Sequence, residues 1–135
     1  MTLVDSSVWI GYFNGQETPE VRRLDRALSI HEDLAVLDLI ITEVLQGFRA
    51  ERDFATARAV LIRLPRPAPG VATYVRAARL FRRLRARGIT VRGAIDCIVA
   101  QACIELRAEL LSADADFRHI AAHSRLRLAK IEGGP

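Results

Sequence analysis

The hydrophobic and polar positions of the chain switch repeatedly between short apolar runs and helical periodicity. Thr2 to Asp5 is a short apolar run, and Ser6-Ser7 then leads into Val8, Trp9, Ile10, Tyr12 and Phe13, the pattern of a strand, a cap and a helix. A second amphipathic stretch runs from about Thr18 to Ser29, with Val21, Leu24, Ala27 and Leu28 along one stripe. Leu34-Ala35-Val36-Leu37 reads as a short buried strand, after which Asp38 is placed to cap a helix carrying Leu39, Thr42, Glu43, Leu45 and Gln46 towards Gly47. Another helix is predicted over Phe54 to Leu64, ended by Pro65, Pro67, Pro69 and Gly70.

From Val71 to Arg87 the apolar positions Tyr74, Ala77, Ala78, Phe81 and Leu84 keep helical spacing, while Arg76, Arg79, Arg83 and Arg87 form an opposite, wet and basic side. After Gly88, the stretch Gly93 to Leu106 is apolar nearly all round, as in a helix buried at the centre of a domain, and one carboxylate, Asp96, interrupts it. Glu109 to Ser112 reads as a strand entering Asp114-Ala115-Asp116-Phe117, and Leu126 to Ile131 as a last strand before a Gly-Gly-Pro tail. Strands alternating with helices predict an α/β domain with a doubly wound parallel sheet. No internal repeat or linker divides the chain, so residues 1–135 are expected to form a single domain.

Composition sharpens this picture only slightly. At 135 residues, with 50% hydrophobic and 27% charged residues, the chain is sized and mixed for one packed core. Asp38 and Glu43 break the apolar stretch from Leu34 to Val44, and nothing approaches the roughly 18 uninterrupted residues of a membrane span. No basic run precedes an apolar one at the N-terminus, so a cytoplasmic protein with no membrane partner is expected. The net charge of +4 and a pI near 9.8 favour polyanionic partners without requiring them. Every basic residue but Lys130 is arginine, which suits bidentate phosphate contacts and equally fits a GC-rich genome. Cys97 and Cys103, six apart on one helix, have Cα atoms about 9 Å apart, beyond disulfide reach, and are expected to be buried, reduced thiols.

The informative feature is a set of acids embedded in apolar surroundings: Asp5 after Leu3-Val4, Glu43 within Ile40 to Leu45, Asp96 between Ile95 and Cys97, and Asp114 shortly after Leu110-Leu111. A buried carboxylate persists when it is capped, paired or bound to a cation. Asp5 can cap the helix beginning at Ser6, Asp96 can lie at a helix start, and Asp114 or Asp116 can serve a turn. In open parallel sheets, however, sites gather outside the carboxyl ends of strands, where Asp5 and Asp114 both fall. Several carboxylates converging there would repel one another unless a hard divalent cation neutralised them, and all-oxygen ligation suits Mg²⁺ or Mn²⁺. Such an ion performs hydrolytic chemistry on phosphates.

Asp5-Ser6-Ser7-Val8, Thr42-Glu43-Val44-Leu45-Gln46-Gly47, Ile95-Asp96-Cys97-Ile98-Val99-Ala100 and Leu110-Leu111-Ser112-Ala113-Asp114-Ala115-Asp116-Phe117 resemble, in order and spacing, the four motifs of the PIN-domain nucleases. With the total length, they resemble the VapC toxins of bacterial toxin–antitoxin pairs. The resemblance implies a three-layer α/β/α domain with a central parallel sheet of four or five strands. It also implies a Mg²⁺- or Mn²⁺-dependent endoribonuclease, usually a homodimer, held inactive by a cognate VapB-type antitoxin. Asp5, Glu43, Asp96 and Asp114 match the family's acidic positions, Asp116 a further acidic position, and Ser6 and Ser112 its small hydroxyl positions.

On that resemblance Asp5, Asp96 and Asp114 hold the metal, Glu43 helps to hold it and orients or deprotonates the attacking water, and Asp116 supports a second ion. In-line attack would leave a 5′-phosphate and a 3′-hydroxyl. Many relatives carry a basic residue between the last two acids, where this chain has Ala115; Arg92, Arg118 or the Arg76–Arg87 helix are candidates to meet substrate phosphates instead. Trp9, Phe13 and Phe48 are either plain core or the lining of a groove for an antitoxin helix. A solitary RNA-processing nuclease and a PIN-like module that binds without cutting remain as alternatives.

Other chemistries fit poorly. His119 and His123 share zinc-pair spacing but lack the metalloprotease glutamate and a third ligand. No phosphate-cradling glycine loop is present, and Ser6 and Ser7 have no histidine partner for nucleophilic catalysis. A haloacid-dehalogenase phosphatase would need an aspartate where Ser7 stands, and a receiver domain would need a lysine well before Lys130.

Overall fold

A computed structural model describes residues 1–132; the Gly-Gly-Pro tail expected at 133–135 lies outside the described residues. In chain order the elements are β1 (Thr2–Val4), α1 (Ser6–Phe13), α2 (Pro19–Ser29), β2 (Leu34–Ala35), α3 (Asp38–Leu45), α4 (Glu51–Leu61), α5 (Val71–Ala86), α6 (Ala94–Leu106), β3 (Glu109–Leu111), α7 (Ala115–Ala122) and β4 (Arg127–Leu128). All four strands run parallel in the order β2-β1-β3-β4, an α/β sheet at the lower of the two expected strand numbers.

The pairing of the two central strands positions everything that follows. Leu3 faces Leu110 and Val4 faces Leu111 across β1 and β3, and the Asp5 N–H continues the ladder by donating to the Leu111 carbonyl at 2.9 Å. Parallel register thus delivers the residues that leave both strands, Asp5 and Ser112 to Asp114, to the same edge of the sheet. Beneath that edge Leu3, Val4, Leu110 and Leu111 are sealed from solvent together with Trp9, Leu37 and Ile40. Cys97, Val99, Ala100, Ala102 and Cys103 are buried, which places α6 in the domain centre as its apolar pattern predicted.

Both cysteines are free and buried, and burial pushes their thiols up, to about 11 for Cys97 and about 12 for Cys103. No described helix is long and apolar enough to cross a membrane.

Local signals explain most boundaries. Thr18 accepts the Val21 N–H and Pro19 opens α2, while Asp5 and Asp114 accept backbone N–H groups as the N-caps of α1 and α7. The predicted cap at Asp38 is corrected: Leu37 is the N-cap, without a side-chain hydrogen bond, and Asp38 is the first helical residue, where its charge still favours the helix dipole. Helix α4 begins at Glu51, before the predicted Phe54, because Glu51 and Asp53 supply first-turn acids where no side-chain cap marks the start.

The buried face of α5 is Thr73, Ala77, Leu80 and Leu84; Tyr74 and Ala78, expected inside, point outward, since the i, i+4, i+7, i+11 stripe packs on α6. The last strand pairs only over Arg127–Leu128, shorter than the predicted Leu126 to Ile131, although the Ala129 N–H still reaches the Leu110 carbonyl.

Candidate metal centre

Asp5 leaves the buried end of β1 and is itself only 5% exposed. Its Oδ2 accepts three contacts: the Ser7 hydroxyl at 2.7 Å, the Ser112 hydroxyl at 3.0 Å and, more weakly, the Ser7 N–H at 3.4 Å. The two serines are tied onward, Ser7 Oγ accepting from the Ala113 N–H at 3.1 Å and Ser112 Oγ from the Asp114 N–H at 3.0 Å. The segment after β3 is therefore laced to the segment after β1 through hydroxyls, and among the described residues all the hydrogen bonds to the Asp5 side chain fall on one of its two oxygens. Asp5 thus caps α1 while its side chain is held against the segment that leads to Asp114.

Asp114 caps α7 by accepting the Asp116 N–H at 2.9 Å, which brings both carboxylates to the start of that helix. Asp96 arrives from the other side. Gly88, at φ +75°, turns the chain after α5, Gly93 is the N-cap of α6, and Asp96 lies in the first turn. One carboxylate oxygen from each of Asp96, Asp114 and Asp116 lies within 4.8 Å of the others. A helix N-terminus ordinarily favours an ionised acid. Here burial and then the charges of Asp5, Asp114, Asp116 and Glu43 outweigh it and push Asp96 up to about 6.

Glu43 projects from α3 on the Asp5 side. Burial first and the Asp5 charge second raise its pKa, against a hydrogen bond from the Ser6 side chain. Of the five predicted acids, then, Asp96, Asp114 and Asp116 form one ligand-sized group. Asp5 and Glu43 stand beside it and act on Asp96 through their charge, outside that group of three.

Two other residues complete the site. Ser7 is the hydroxyl on Asp5, whereas Ser6, matched to the hydroxyl position by resemblance, faces Glu43; residue type alone could not separate adjacent serines that leave a helix start in different directions. Arg92 reaches Asp114 at 3.6 Å and Asp116 at 3.3 Å from the loop before α6, with its side chain 80% exposed. It places a cation where Ala115 provides none, and these carboxylates raise its own pKa. Arg118 makes no ion pair among the described residues.

Three hard oxygen donors at this separation, next to a fourth buried carboxylate and a fifth acid with a raised pKa, suit a divalent cation: the crowding is costly without positive charge and the donors match what such ions take. An aromatic cluster forms on α1, the helix that Asp5 caps. Trp9 is fully buried and stacks on Phe13 with centroids 5.8 Å apart, and Phe13 meets Phe48 edge-on at 5.9 Å; both phenylalanines are half-buried.

Comparison with known proteins identifies the family and the fold. The PIN domain family matches residues 2–123. A VapC ribonuclease of Mycobacterium bovis is 31% identical over 133 residues, 97% of this chain and 99% of its own length. Ribonuclease VapC11 of Mycobacterium tuberculosis matches over the same span at the same identity. Among solved structures, VapBC2 of Rickettsia felis, bound to a DNA fragment from its promoter, superposes with a TM-score of 0.76 at 15% identity, covering 97% of this chain and 98% of that one. VapC20 of Mycobacterium tuberculosis, described as a toxin cleaving the sarcin–ricin loop, superposes with a TM-score of 0.71 at 13% identity, covering 90% and 95% of the two chains. The chain belongs to the PIN-domain family and, within it, to the VapC ribonucleases.

Proposed function

We propose that this VapC-family ribonuclease is the toxin of a VapBC-type pair and cleaves RNA internally with Mg²⁺ or Mn²⁺. The observation that carries the reading is the approach of Asp96, Asp114 and Asp116 to within 4.8 Å, beside buried Asp5, a crowding that pushes the Asp96 carboxyl up to about 6 even with Arg92 nearby. Asp96, Asp114 and Asp116 would hold the cation, and Asp5 offers its free oxygen while Ser7 and Ser112 fix the other. Asp116 is thereby assigned to the first ion rather than a second. When bound, the cation supplies the positive charge that polarises the phosphoryl group and acidifies water.

The chain's own residues do the remainder. Glu43, whose carboxyl is held above the ordinary range, takes the proton of the water attacking phosphorus. As the water oxygen bonds to phosphorus the P–O3′ bond breaks, and the departing 3′-oxygen takes a proton from solvent water, leaving a 5′-phosphate and a 3′-hydroxyl. Arg92, 80% exposed beside Asp114 and Asp116, would meet the substrate phosphate at the mouth of the site once those carboxylates held a cation. A VapB-type antitoxin is the partner, in keeping with the VapBC2 neighbour, and the half-buried rings of Phe13 and Phe48 offer its helix an apolar contact; a second copy of the chain completes the proposed assembly.

Incubation of the purified protein with total RNA tests the reading. Discrete fragments with 5′-phosphates in Mg²⁺, absent in EDTA and absent with Asp96→Asn, are expected. Cleavage that persists in EDTA, or ends carrying 2′,3′-cyclic phosphates, would contradict it.

A further inference from the structure

Two arginine-lined hollows lie on the outer side of α5, and none of the five acids lines either of them. That helix carries Arg76, Arg79, Arg82, Arg83 and Arg85 and no acidic residue. Arg76, Arg79, Arg83 and Arg87 line a cavity of about 500 Å³ together with Arg125 from the segment after α7. A second hollow, of about 530 Å³, shares Arg79 and Arg83 and adds Arg82 and Arg85. Arg76 is neutralised by Glu105, whereas Arg79, Arg82, Arg83, Arg87 and Arg125 have no carboxylate partner among the described residues.

Like charges three and four residues apart destabilise an isolated helix. Arg76–Arg79, Arg79–Arg83 and Arg83–Arg87 are all such pairs, with Arg125 brought against them from another element. The helix dipole accounts for the arginines of the last turn, not for Arg79 or Arg125. A repeated anion offsets this repulsion along its whole length. Arg76, Arg79, Arg83 and Arg87 rise along the helix in steps of roughly 4.5–6 Å, the order of the spacing between successive phosphates of an extended strand. Among the described residues no Phe, Tyr or Trp lines either hollow, and His123 is the one ring at the first, so charge outweighs stacking along this face.

The stripe also points to the acids. Helices α5 and α6 pack antiparallel, since Arg76 near the start of α5 meets Glu105 near the end of α6. Arg87 therefore lies at the end of α6 that carries Asp96, and a loop of a few residues joins it to Arg92 on Asp114 and Asp116.

Resting on the reading that the chain acts on RNA, we infer that the arginine face of α5, with Arg125, binds the phosphodiester backbone of single-stranded RNA flanking the cleaved bond. It holds the strand by charge, without reading bases, and leads it to the acidic centre. Binding by this face is sequence-tolerant and strongly salt-dependent.

The test is fluorescence anisotropy of a labelled twelve-nucleotide oligouridylate with the full chain in EDTA, so that nothing is cut, over a series of salt concentrations. Arg79→Glu with Arg83→Glu is expected to weaken binding at least tenfold near 0.1 M salt and to flatten the log–log salt slope by about 1.4, two phosphate contacts' worth. Arg52→Glu with Arg58→Glu on α4, the same charge change elsewhere, is expected to leave affinity within twofold. Should the reversal disturb folding, Arg79→Gln with Arg83→Gln is expected to show the same slope change in half measure or more.

Equal losses in the α5 and α4 variants, or wild-type affinity in the α5 variant, would overturn the proposal. So would Arg79- and Arg83-dependent binding of polyglutamate without binding of RNA, which would make the face a site for an acidic protein. Because the titration needs no cation and no cleavage, it judges the track separately from the nuclease reading, which stands or falls on wild-type cutting in Mg²⁺.

Discussion

The Ser112 hydroxyl donates to Oδ2 of Asp5 at 3.0 Å, joining residues 107 positions apart in sequence. It accepts the Asp114 N–H at the same time, so one small side chain fixes a carboxylate at the end of β1 and the backbone from which two further carboxylates emerge. Ser112→Ala removes both contacts. The expected cost is about 1.5 kcal/mol of stability, with an RNA-cleavage loss of tenfold or more, both recovered largely by Ser112→Thr. Chemical denaturation and a cleavage assay on the two variants check this; equal activity in the alanine variant would show that Asp5 needs no such support.

Asp96 makes the protein's stability depend on pH in a particular direction. Its folded carboxyl keeps a proton to about pH 6, against an ordinary value of 3.8. Between those values the folded state binds more protons than the unfolded chain, so the cation-free protein gains stability as pH falls from 7 towards 4, and ionised Asp96 destabilises it at neutral pH. Asp96→Asn is expected to melt roughly 5 °C above wild type at pH 7 in EDTA, with the gap closing by pH 4. A variant less stable than wild type at pH 7 would mean that Asp96 is paired in the fold, not repelled.

Arg92 and a divalent cation compete for the same oxygens. Arg92→Ala is expected to tighten Mn²⁺ binding about three- to fivefold at low salt and less at high salt, because this exposed pair is screened. Cleavage should fall despite the tighter ion, as the phosphate loses its cationic contact. Unchanged Mn²⁺ affinity across the salt series would remove Arg92 from the site.

The acids themselves were legible because each interrupts an apolar run, and a carboxylate in that position needs an explanation wherever the chain folds. Their placement at strand ends followed from the same runs: Leu3-Val4 and Leu110-Leu111 had to be strand, so Asp5 and Asp114 had to leave it. Which acids meet was not legible, since that depends on β1 and β3 being neighbours in the sheet and on the turn at Gly88 that aims α6. Arg92 was a candidate beside Arg118 and the Arg76–Arg87 helix, and nothing in the sequence chose among them until that loop was placed against Asp114 and Asp116. The choice of Ser7 over Ser6 and the outward face of Tyr74 were lost for a related reason: a shift of one residue on a helix rotates a side chain by about 100°, and the apolar pattern did not fix α1 or α5 to that precision. The predicted cap at Asp38 failed because a capping residue type marks where a helix can start, while the apolar Leu37, packed in the core, took the position.

Calorimetric titration of Mn²⁺ at pH 7 into the wild-type chain and Asp96→Asn tests the centre most directly. Saturable uptake of at least one ion by the wild type, at least tenfold weaker in the variant while both keep the same circular dichroism spectrum, is the predicted result. Equal uptake by the two folded proteins, or none by either, would contradict the assignment of these carboxylates to a metal.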